Sequence, residues 1–330
     1  MSLRDVLIVG AGPAGLATAI AARQLGLDAL VIEKGTVTDA IYRFPTNMVF
    51  FTTPELLEIG NLPLTTPYEK PTRMEALRYY RKVVDTYRIP LVLHEEVTAV
   101  EAGVDGTFEV ETRSRRGEVR ARQGRAVVLA MGYYDRPNLL GVPGEDLPHV
   151  SHFYAEAHPY YRQRVVIVGG KNSACEAALE LHRAGAHVTL VHRGATLSDS
   201  VKYWVRPDVE NRIKEGSIAA RFSTEVVEIR ATEVIVRERG TETTGALAAD
   251  SVLLLTGYQA DAGFLRRTGV EIDPDTMVPC HNPDTYETNV KNLFIAGAQL
   301  AGRRTGTIFI ENGRFHGEQV ARVLAARLGA

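Results

Sequence analysis

Two glycine-rich turns hold residues whose types and spacing suit the binding of an anion. The first turn is Gly10-Ala-Gly-Pro-Ala-Gly15 and the second is Gly169-Gly-Lys-Asn-Ser-Ala174, and each follows an apolar strand and opens an Ala-rich helix. In this setting glycine lets the backbone approach a pyrophosphate at the helix N-terminus, where free N–H groups and the helix dipole attract anions. Two such turns predict two bound dinucleotides.

The residue at the end of the next strand distinguishes the two nucleotides. Glu33 follows Gly10 at the same spacing at which His192 follows Gly169. A carboxylate accepts hydrogen bonds from both ribose hydroxyls and repels a 2′-phosphate, whereas a guanidinium such as Arg193 pairs with that phosphate. We therefore expect FAD on the first turn and NADPH on the second.

Each turn residue has a separate expected role. Gly10 permits the tight bend, Gly12 lets the backbone approach the pyrophosphate, Pro13 presets the start of the helix and Gly15 permits close helix–strand packing. In the second turn Lys171 replaces the middle glycine. Its ammonium either contacts a phosphate or lies solvated in the loop, and the sequence leaves both interpretations open.

Composition excludes several classes of partner. The 38 basic and 40 acidic residues nearly balance, so we expect neither nucleic-acid binding nor attachment to an anionic membrane. No apolar run is long enough to span a bilayer, and a strand starts within a few residues of the N-terminus, which leaves no room for a signal peptide. The sequence therefore predicts a cytoplasmic protein, and we expect a homodimer or homotetramer.

The two cysteines limit the redox chemistry. Cys175 and Cys280 are far apart and form no Cys-x-x-Cys pair, which excludes a disulfide framework, a local dithiol and a zinc knuckle. We expect Cys175 to pack inward and Cys280 to be looser, and we expect no metal site. No catalytic acid, base or nucleophile is identified by the sequence.

The elements that position these residues follow an α/β pattern. Hydrophobic spacing predicts a strand–helix–strand unit from Asp5 to Lys34 and, beyond it, further elements. Those in the first segment are a helix over Glu75–Tyr87 and strands over Leu91–Val104, Phe108–Thr112 and Arg125–Met131. Those in the second are a helix over Ser173–Ala184 and strands near Val226–Ile229, Val234–Arg237 and Ser251–Gly257.

The chain then returns to its first half. A buried strand, Asn292–Gly297, precedes a terminal helix from about Thr307 to Leu328, and turn formers over Asp135–Gly144 mark the earlier crossing. This order predicts two Rossmann-like, three-layer dinucleotide-binding domains. We expect a discontinuous FAD domain formed by residues 1–135 and 259–330, and an NADPH domain formed by residues 136–258.

Several motifs resemble those of a known family. The strand ends Leu129–Gly132 and Leu255–Gly257 and the segment Val142–Glu145 resemble the linkers of flavoproteins of the low-molecular-weight thioredoxin reductase type. More closely, the chain resembles the bacillithiol-disulfide reductase subfamily of the pyridine nucleotide-disulfide oxidoreductases. The stretches that carry this resemblance are Tyr42–Met48, Gly169–Ala174, Ser200–Asp208 and Thr307–Gly317.

The chain departs from that family at three places. His149–Tyr154 replaces the Cys-x-x-Cys pair of thioredoxin reductases, and Ala14 stands where bacillithiol-linked relatives often carry cysteine. Ala298 replaces the Asp that in this superfamily contacts the flavin ribityl chain, so the backbone or another residue must make that contact.

The N-terminus of the terminal helix near Thr307 is expected to face the flavin ring, and Asn47 is a candidate partner of the ring edge.

The candidate cofactor-binding residues lie in the turns, at strand ends and before the terminal helix. They are Gly10, Gly12, Pro13, Ala14, Gly15, Glu33, Lys34, Asn47, Val97, Ala130, Gly132, Gly169, Lys171, Asn172, Ser173, His192, Arg193, Gly257, Gly297, Ala298, Thr307 and Ile308.

Together these features predict an FAD-dependent oxidoreductase that takes hydride from NADPH. The resemblance implies a low-molecular-weight disulfide of the bacillithiol type as the acceptor. Two other enzymatic functions remain open, since ferredoxin or flavodoxin–NADP reductases of this fold also lack the cysteine pair, and flavin monooxygenases share part of the pattern. A non-enzymatic alternative is a redox sensor that binds both nucleotides without turnover.

Overall fold

The computed structural model describes residues 3–329, and within that range the chain forms 15 strands and nine α-helices. The strands are β1 (Arg4–Val9), β2 (Ala29–Ile32), β3 (Leu91–Val92), β4 (Glu95–Ala102), β5 (Phe108–Ser114), β6 (Val119–Leu129), β7 (Val150–Ser151), β8 (Arg164–Val168), β9 (His187–Val191), β10 (Ala219–Arg221), β11 (Thr224–Ile229), β12 (Glu233–Glu238), β13 (Thr244–Ala248), β14 (Ser251–Leu254) and β15 (Leu293–Ile295). The helices are α1 (Pro13–Gln24), α2 (Asp39–Tyr42), α3 (Pro54–Leu57), α4 (Arg73–Tyr87), α5 (Asn172–Arg183), α6 (Arg206–Lys214), α7 (Ala262–Arg267), α8 (Ile310–Gly313) and α9 (His316–Leu328).

The chain divides into two compact units. The first unit comprises the chain up to Arg136 and again from Tyr258 onward, and the second is Pro137–Gly257. Each unit contains parallel strands connected through helices that pack against the sheet, so the predicted α/β class is confirmed. The assignment of FAD to the first unit and NADPH to the second remains a prediction.

The first unit is built on a seven-stranded mixed sheet in the order β3-β2-β1-β6-β5-β4, with β15 also paired to β6. Residues of β1 alternate between two cores, because successive side chains of a strand point to opposite faces. Val6 and Ile8 pack with helices α1, α4 and α9, whereas Leu7 and Val9 pack with Phe108 and other residues on the opposite face. Burial of both faces explains why the strand is apolar from Val6 to Val9.

The second unit has the same layered plan. Its five-stranded sheet, β10-β9-β8-β14-β7, is parallel, and a separate antiparallel sheet joins β11, β12 and β13. Val165 and Ile167 of β8 pack with residues of α5 and α6, while Val166 and Val168 pack with the small antiparallel sheet. The glycine turn between β8 and α5 therefore lies at the carboxyl edge of a buried sheet.

The prediction of a single strand over Leu91–Val104 is wrong. The structure ends β3 at Val92, where it pairs in parallel with β2, and begins β4 at Glu95, where the chain pairs antiparallel with β5. Between them His94 takes a φ of 60°, a left-handed conformation that redirects the chain. Hydrophobic alternation could not distinguish one long strand from two strands joined by such a turn.

The predicted terminal helix from about Thr307 is also wrong in its first part. Helix begins only at Ile310, and residues 314–315 interrupt it before α9 starts at His316. The Asn312 side chain causes the late start, because its amide donates to the carbonyl oxygen of Thr307 at 2.9 Å and accepts from the backbone N–H of Phe309 at 2.8 Å. Thr307 and Ile308 therefore lie in the turn before α8.

Candidate dinucleotide-binding sites

The first glycine turn is packed too closely for side chains at two positions. Gly10 has a φ of 105°, and a Cβ there would lie 2.6 Å from the carbonyl oxygen of Ala130. A Cβ at Gly15 would overlap the carbonyl oxygen of Gly10. Glycine at these two positions therefore brings α1 against the end of β6, as the sequence predicts for a dinucleotide turn.

Gly12 is free of such packing. A Cβ at Gly12 would meet no atom within 4 Å, and no side chain caps α1, which begins at Pro13. Contacts within the protein therefore give no reason for glycine here, whereas the approach of a pyrophosphate to the first-turn N–H groups does. The residues of this turn fit a dinucleotide.

Glu33 ties the turn to the end of β2. One carboxylate oxygen accepts from the N–H of Ala11 and the other from the N–H of Gly35, both at 2.8 Å. The side chain is 7% exposed, and burial raises its pKa although the two backbone hydrogen bonds oppose that rise. Each carboxylate oxygen keeps a further lone pair, so hydrogen bonds from ribose hydroxyls can be added to these contacts.

A cavity of about 460 Å³ lies beside Glu33. Its lining includes Gly35, His94, Arg113 and Lys34. The Lys34 ammonium pairs with one carboxylate oxygen of Asp135 at 2.6 Å, and Arg43 pairs with the other oxygen of the same carboxylate. Lys34 therefore lines this cavity as one half of an ion pair.

The other predicted cofactor-binding residues of the first unit differ in how close they lie to this turn. Gly297 has a φ of 81°, and a Cβ there would lie 2.8 Å from the Cβ of Ala14, so these two positions are in contact. Ala298 follows in a short 3₁₀ turn, and Gly132 takes a φ of 66° beyond the end of β6. Two further candidates differ in burial, since Asn47 is exposed and the Val97 side chain is in the core, and their contact with a cofactor remains a prediction.

His316 was missed by the sequence analysis. Its Nδ1 accepts from the N–H of Gly297 at 3.2 Å, and its ring stacks on that of Tyr286 with centroids 4.3 Å apart. Burial, with a smaller effect from His281, lowers its pKa to about 4. The neutral imidazole therefore fixes the backbone of Gly297 next to Ala14. No sequence signal links residues 297 and 316.

We expect His316 to make the stability depend on pH. Because its folded-state pKa lies near 4 and the ordinary value is 6.5, the unfolded chain binds more protons between these values. The contribution, about 3 kcal/mol, is full above pH 6.5 and is lost as the pH falls through 4. Urea unfolding of His316→Gln from pH 7 to 4 should show a flatter profile than the parent, whereas His187→Gln, which removes an exposed imidazole, should not. An unchanged profile in His316→Gln would contradict the assignment.

The second glycine turn encloses the ring of His192. A Cβ at Gly170 would lie 2.5 Å from that ring, and a Cβ at Gly194 would lie 2.7 Å from its Nε2. Burial and the neighbouring Arg193 lower the pKa of His192, so the ring is neutral at pH 7. It can donate or accept one hydrogen bond there, and positive charge at this strand end must come from arginine.

The remaining candidates of the second turn differ in their contacts. The Asn172 amide donates to the carbonyl oxygen of Ser200 at 3.1 Å and accepts from the N–H of Lys202 at 2.8 Å, so it holds a loop against the start of α5. Lys171 and Ser173 are exposed at the helix start. Two further candidate glycines lie at strand ends: a Cβ at Gly169 would lie 2.6 Å from the carbonyl oxygen of Leu255, and Gly257 takes a φ of 89°.

Comparisons with known proteins identify the family. The pyridine nucleotide-disulphide oxidoreductase pattern matches residues 7–297. Bacilliredoxin reductase Bdr of Bacillus subtilis is 44% identical over 327 residues, which cover 99% of each chain. The chain belongs to the pyridine nucleotide-disulphide oxidoreductase family, in its bacillithiol-disulfide reductase subfamily.

Solved structures agree with this membership. Bacillithiol disulfide reductase Bdr from Bacillus cereus has a TM-score of 0.96 at 42% identity, covering 99% of this chain and 100% of that one. Bacillithiol disulfide reductase Bdr from Staphylococcus aureus has a TM-score of 0.93 at 39% identity, and the match covers 99% of both chains. As a member of this family, the chain is a flavin-dependent oxidoreductase that uses a flavin and a nicotinamide cofactor.

Within the part of the chain that the structure describes, no helix is long and apolar enough to cross a bilayer. Over the same residues, no group of three or more His, Cys, Asp and Glu side chains is arranged to hold a metal ion. Cys175 is buried and Cys280 is exposed, and both are free thiols.

Proposed function

We propose that this family member is an NADPH-dependent FAD enzyme that reduces a low-molecular-weight disulfide of the bacillithiol type. The observation that supports this substrate is the full-length similarity to two solved bacillithiol disulfide reductases, at 42% and 39% identity. This similarity favours a disulfide over the ferredoxin, flavodoxin and monooxygenase alternatives. Homo-oligomerisation and a cytoplasmic location remain predictions.

The first glycine turn is proposed to bind FAD. Gly12 leaves the N-terminal end of α1 open to a pyrophosphate, Glu33 accepts from the two ribose hydroxyls, and the cavity beside it receives the adenosine end. His316 holds the N–H of Gly297 and so fixes the backbone on the other side of Ala14. When bound, the flavin accepts a hydride equivalent from the nicotinamide and supplies the electron pair that cleaves the disulfide.

NADPH is proposed to bind at the second turn. Arg193 is exposed at the end of β9, and among residues 3–329 its guanidinium has no acidic partner. Because Glu33 occupies in the first unit the place that His192, next to Arg193, has in the second, a 2′-phosphate is repelled there and attracted here. The neutral ring of His192 beside Gly170 shapes the floor of this site.

The chemistry is proposed to proceed without a thiol of the protein. Cys175 is buried, and burial raises its pKa to about 12, so it has almost no thiolate at neutral pH. Ala14 supplies no sulfur in the first turn. The acceptor disulfide would therefore take two electrons from the cofactor; the hydride given by the nicotinamide and one proton from solvent balance the two thiols that form.

Removal of both cysteines tests this step. We expect the double variant Cys175→Ala, Cys280→Ser to keep turnover with NADPH and the disulfide within about twofold of the parent, because neither sulfur takes part. Steady-state NADPH oxidation measures it, and the flavin content is the control for folding. A loss of disulfide reduction with unchanged reduction of the flavin by NADPH would show that one cysteine is needed.

A protein disulfide is the second candidate acceptor. The Bacillus subtilis relative is named bacilliredoxin reductase, a name that points to a small redox protein as its substrate. A protein acceptor would carry the same bacillithiol group as a mixed disulfide. The two candidates therefore differ in the carrier of the disulfide and share its chemistry.

Anaerobic stopped-flow measurement distinguishes these functions. The protein loaded with FAD is reduced by NADPH or NADH and is then mixed with bacillithiol disulfide or with a bacillithiolated bacilliredoxin. Fast bleaching by NADPH followed by fast reoxidation with bacillithiol disulfide supports the first proposal. Reoxidation with the protein alone supports the second, whereas reoxidation with neither would reject both and direct attention to ferredoxin. Flavin that no nicotinamide nucleotide reduces would favour the redox-sensor alternative.

A further inference from the structure

Two arginines lie at one end of the parallel sheet of the second unit. Arg193 lies two residues beyond Val191, the last residue of β9, and Arg221 is the last residue of β10. The strands are parallel neighbours with Arg221 opposite Val191, and the N–H of His192 donates to the carbonyl oxygen of Arg221 at 2.9 Å. Both residues therefore stand at the carboxyl edge, where nucleotides bind in open α/β sheets.

Within the described residues, Arg193 and Arg221 have no acidic partner, whereas nearby arginines do. Arg239 also reaches this strand end, since its Nη1 donates to the carbonyl oxygen of Arg193 at 3.4 Å. Arg239 faces the Glu225 carboxylate at 4.0 Å, and the same carboxylate pairs with Arg237. Within residues 3–329, by contrast, neither Arg193 nor Arg221 makes an ion pair or a side-chain hydrogen bond. Positive charge left uncompensated at one place favours a dianion.

The chain around Arg193 explains why the second cation comes from another strand. A Cβ at Gly194 would lie 2.7 Å from Nε2 of His192, so a side chain on the residue after Arg193 would require the His192 ring to move. His192 itself is neutral at pH 7. Arg221, joined to His192 by the backbone hydrogen bond, is the nearest guanidinium along β10.

We propose that Arg221 is a specificity-determining residue for NADPH, which acts with Arg193 on the 2′-phosphate. The inference rests on the proposed use of NADPH at this turn. Two guanidiniums give a phosphate dianion more hydrogen bonds than one, because each planar guanidinium can donate to two phosphate oxygens at once. The 2′-phosphate is the only group that NADPH adds to NADH, so Arg221 should affect one nucleotide and spare the other.

The test compares Arg221→Met with Arg193→Met in the FAD-loaded protein. Flavin reduction is measured with NADPH and NADH, and inhibition is measured with 2′,5′-ADP and 5′-AMP. We expect Arg221→Met to lower kcat/KM for NADPH roughly 10- to 100-fold and to raise the inhibition constant of 2′,5′-ADP by the same factor. The kcat/KM for NADH and the inhibition constant of 5′-AMP should change by less than about twofold. Arg221→Lys should recover part of the loss. Arg116→Met removes an exposed arginine of the first unit and is the control for net charge.

The outcomes separate this inference from the proposed function. A parent enzyme that prefers NADPH, together with an Arg221→Met variant that keeps the same NADPH to NADH ratio, would overturn the role of Arg221 and leave NADPH use intact. An equal loss with both nucleotides would assign Arg221 a structural role and would also overturn the inference. A parent enzyme with no preference for NADPH would reject both the proposed cofactor and the inference.

Discussion

Replacement of Gly15 by alanine should remove the flavin and unfold much of the first unit. The new Cβ would overlap the carbonyl oxygen of Gly10 and would lie 3.3 Å from the Cβ of Ala130. These are backbone and strand-end atoms at the junction of α1 with the sheet, so no side-chain rotation relieves the overlap. We expect a loss of about 4 kcal/mol in the free energy of unfolding and less than about a tenth of the parent's flavin content. Urea unfolding and the ratio of flavin to protein absorbance measure the two effects.

Gly12→Ala is the matched control for this prediction. A Cβ at Gly12 meets no protein atom within 4 Å, so the apoprotein should unfold within about 0.5 kcal/mol of the parent. The methyl group would stand where the proposed pyrophosphate approaches the backbone, and flavin affinity should therefore fall at least about tenfold. Equal flavin affinity in Gly12→Ala and the parent would reject the pyrophosphate site, while a stable Gly15→Ala apoprotein would reject the packing argument.

The parts of the site that the sequence predicts well are local. Gly10, Gly15 and Glu33 belong to one strand–helix–strand unit, and the spacing of that unit fixes which residues stand at the turn and at the next strand end. Their types then follow from sterics and charge, which act over a few ångströms. The second turn and His192 were found for the same reason.

The parts that the sequence does not predict depend on contacts between distant segments. The N–H of Met131 donates to the buried amide oxygen of Gln299 at 3.0 Å, and His316 accepts from Gly297, yet no periodicity links these positions. Asn172 resembles a phosphate-binding residue in sequence, but its amide is used to hold the backbone of Ser200 and Lys202. Such contacts arise only when the fold brings the segments together, so pattern alone cannot assign them.

Glu33→Ala is expected to be the second most damaging change, because two buried donors lose their acceptor together. The N–H groups of Ala11 and Gly35 each donate to one Glu33 oxygen, and a buried donor without a partner costs about 2 kcal/mol. We expect a loss of about 4 kcal/mol in unfolding free energy, together with loss of bound flavin.

Lys34→Met is the matched control at the adjacent residue. The variant loses the ion pair with Asp135, in which the Lys34 side chain is 42% exposed and the Asp135 side chain is 25% exposed. Such exposed pairs contribute at most about 1 kcal/mol to the free energy of unfolding. Glu33→Gln should fall between the two variants, because its amide oxygen satisfies one backbone N–H while its NH₂ group opposes the other. Chemical unfolding of the three apoproteins and flavin titration measure these differences. If Glu33→Ala were no less stable than Lys34→Met, the Glu33 carboxylate would not hold the first turn to β2, and its importance would lie in nucleotide binding alone.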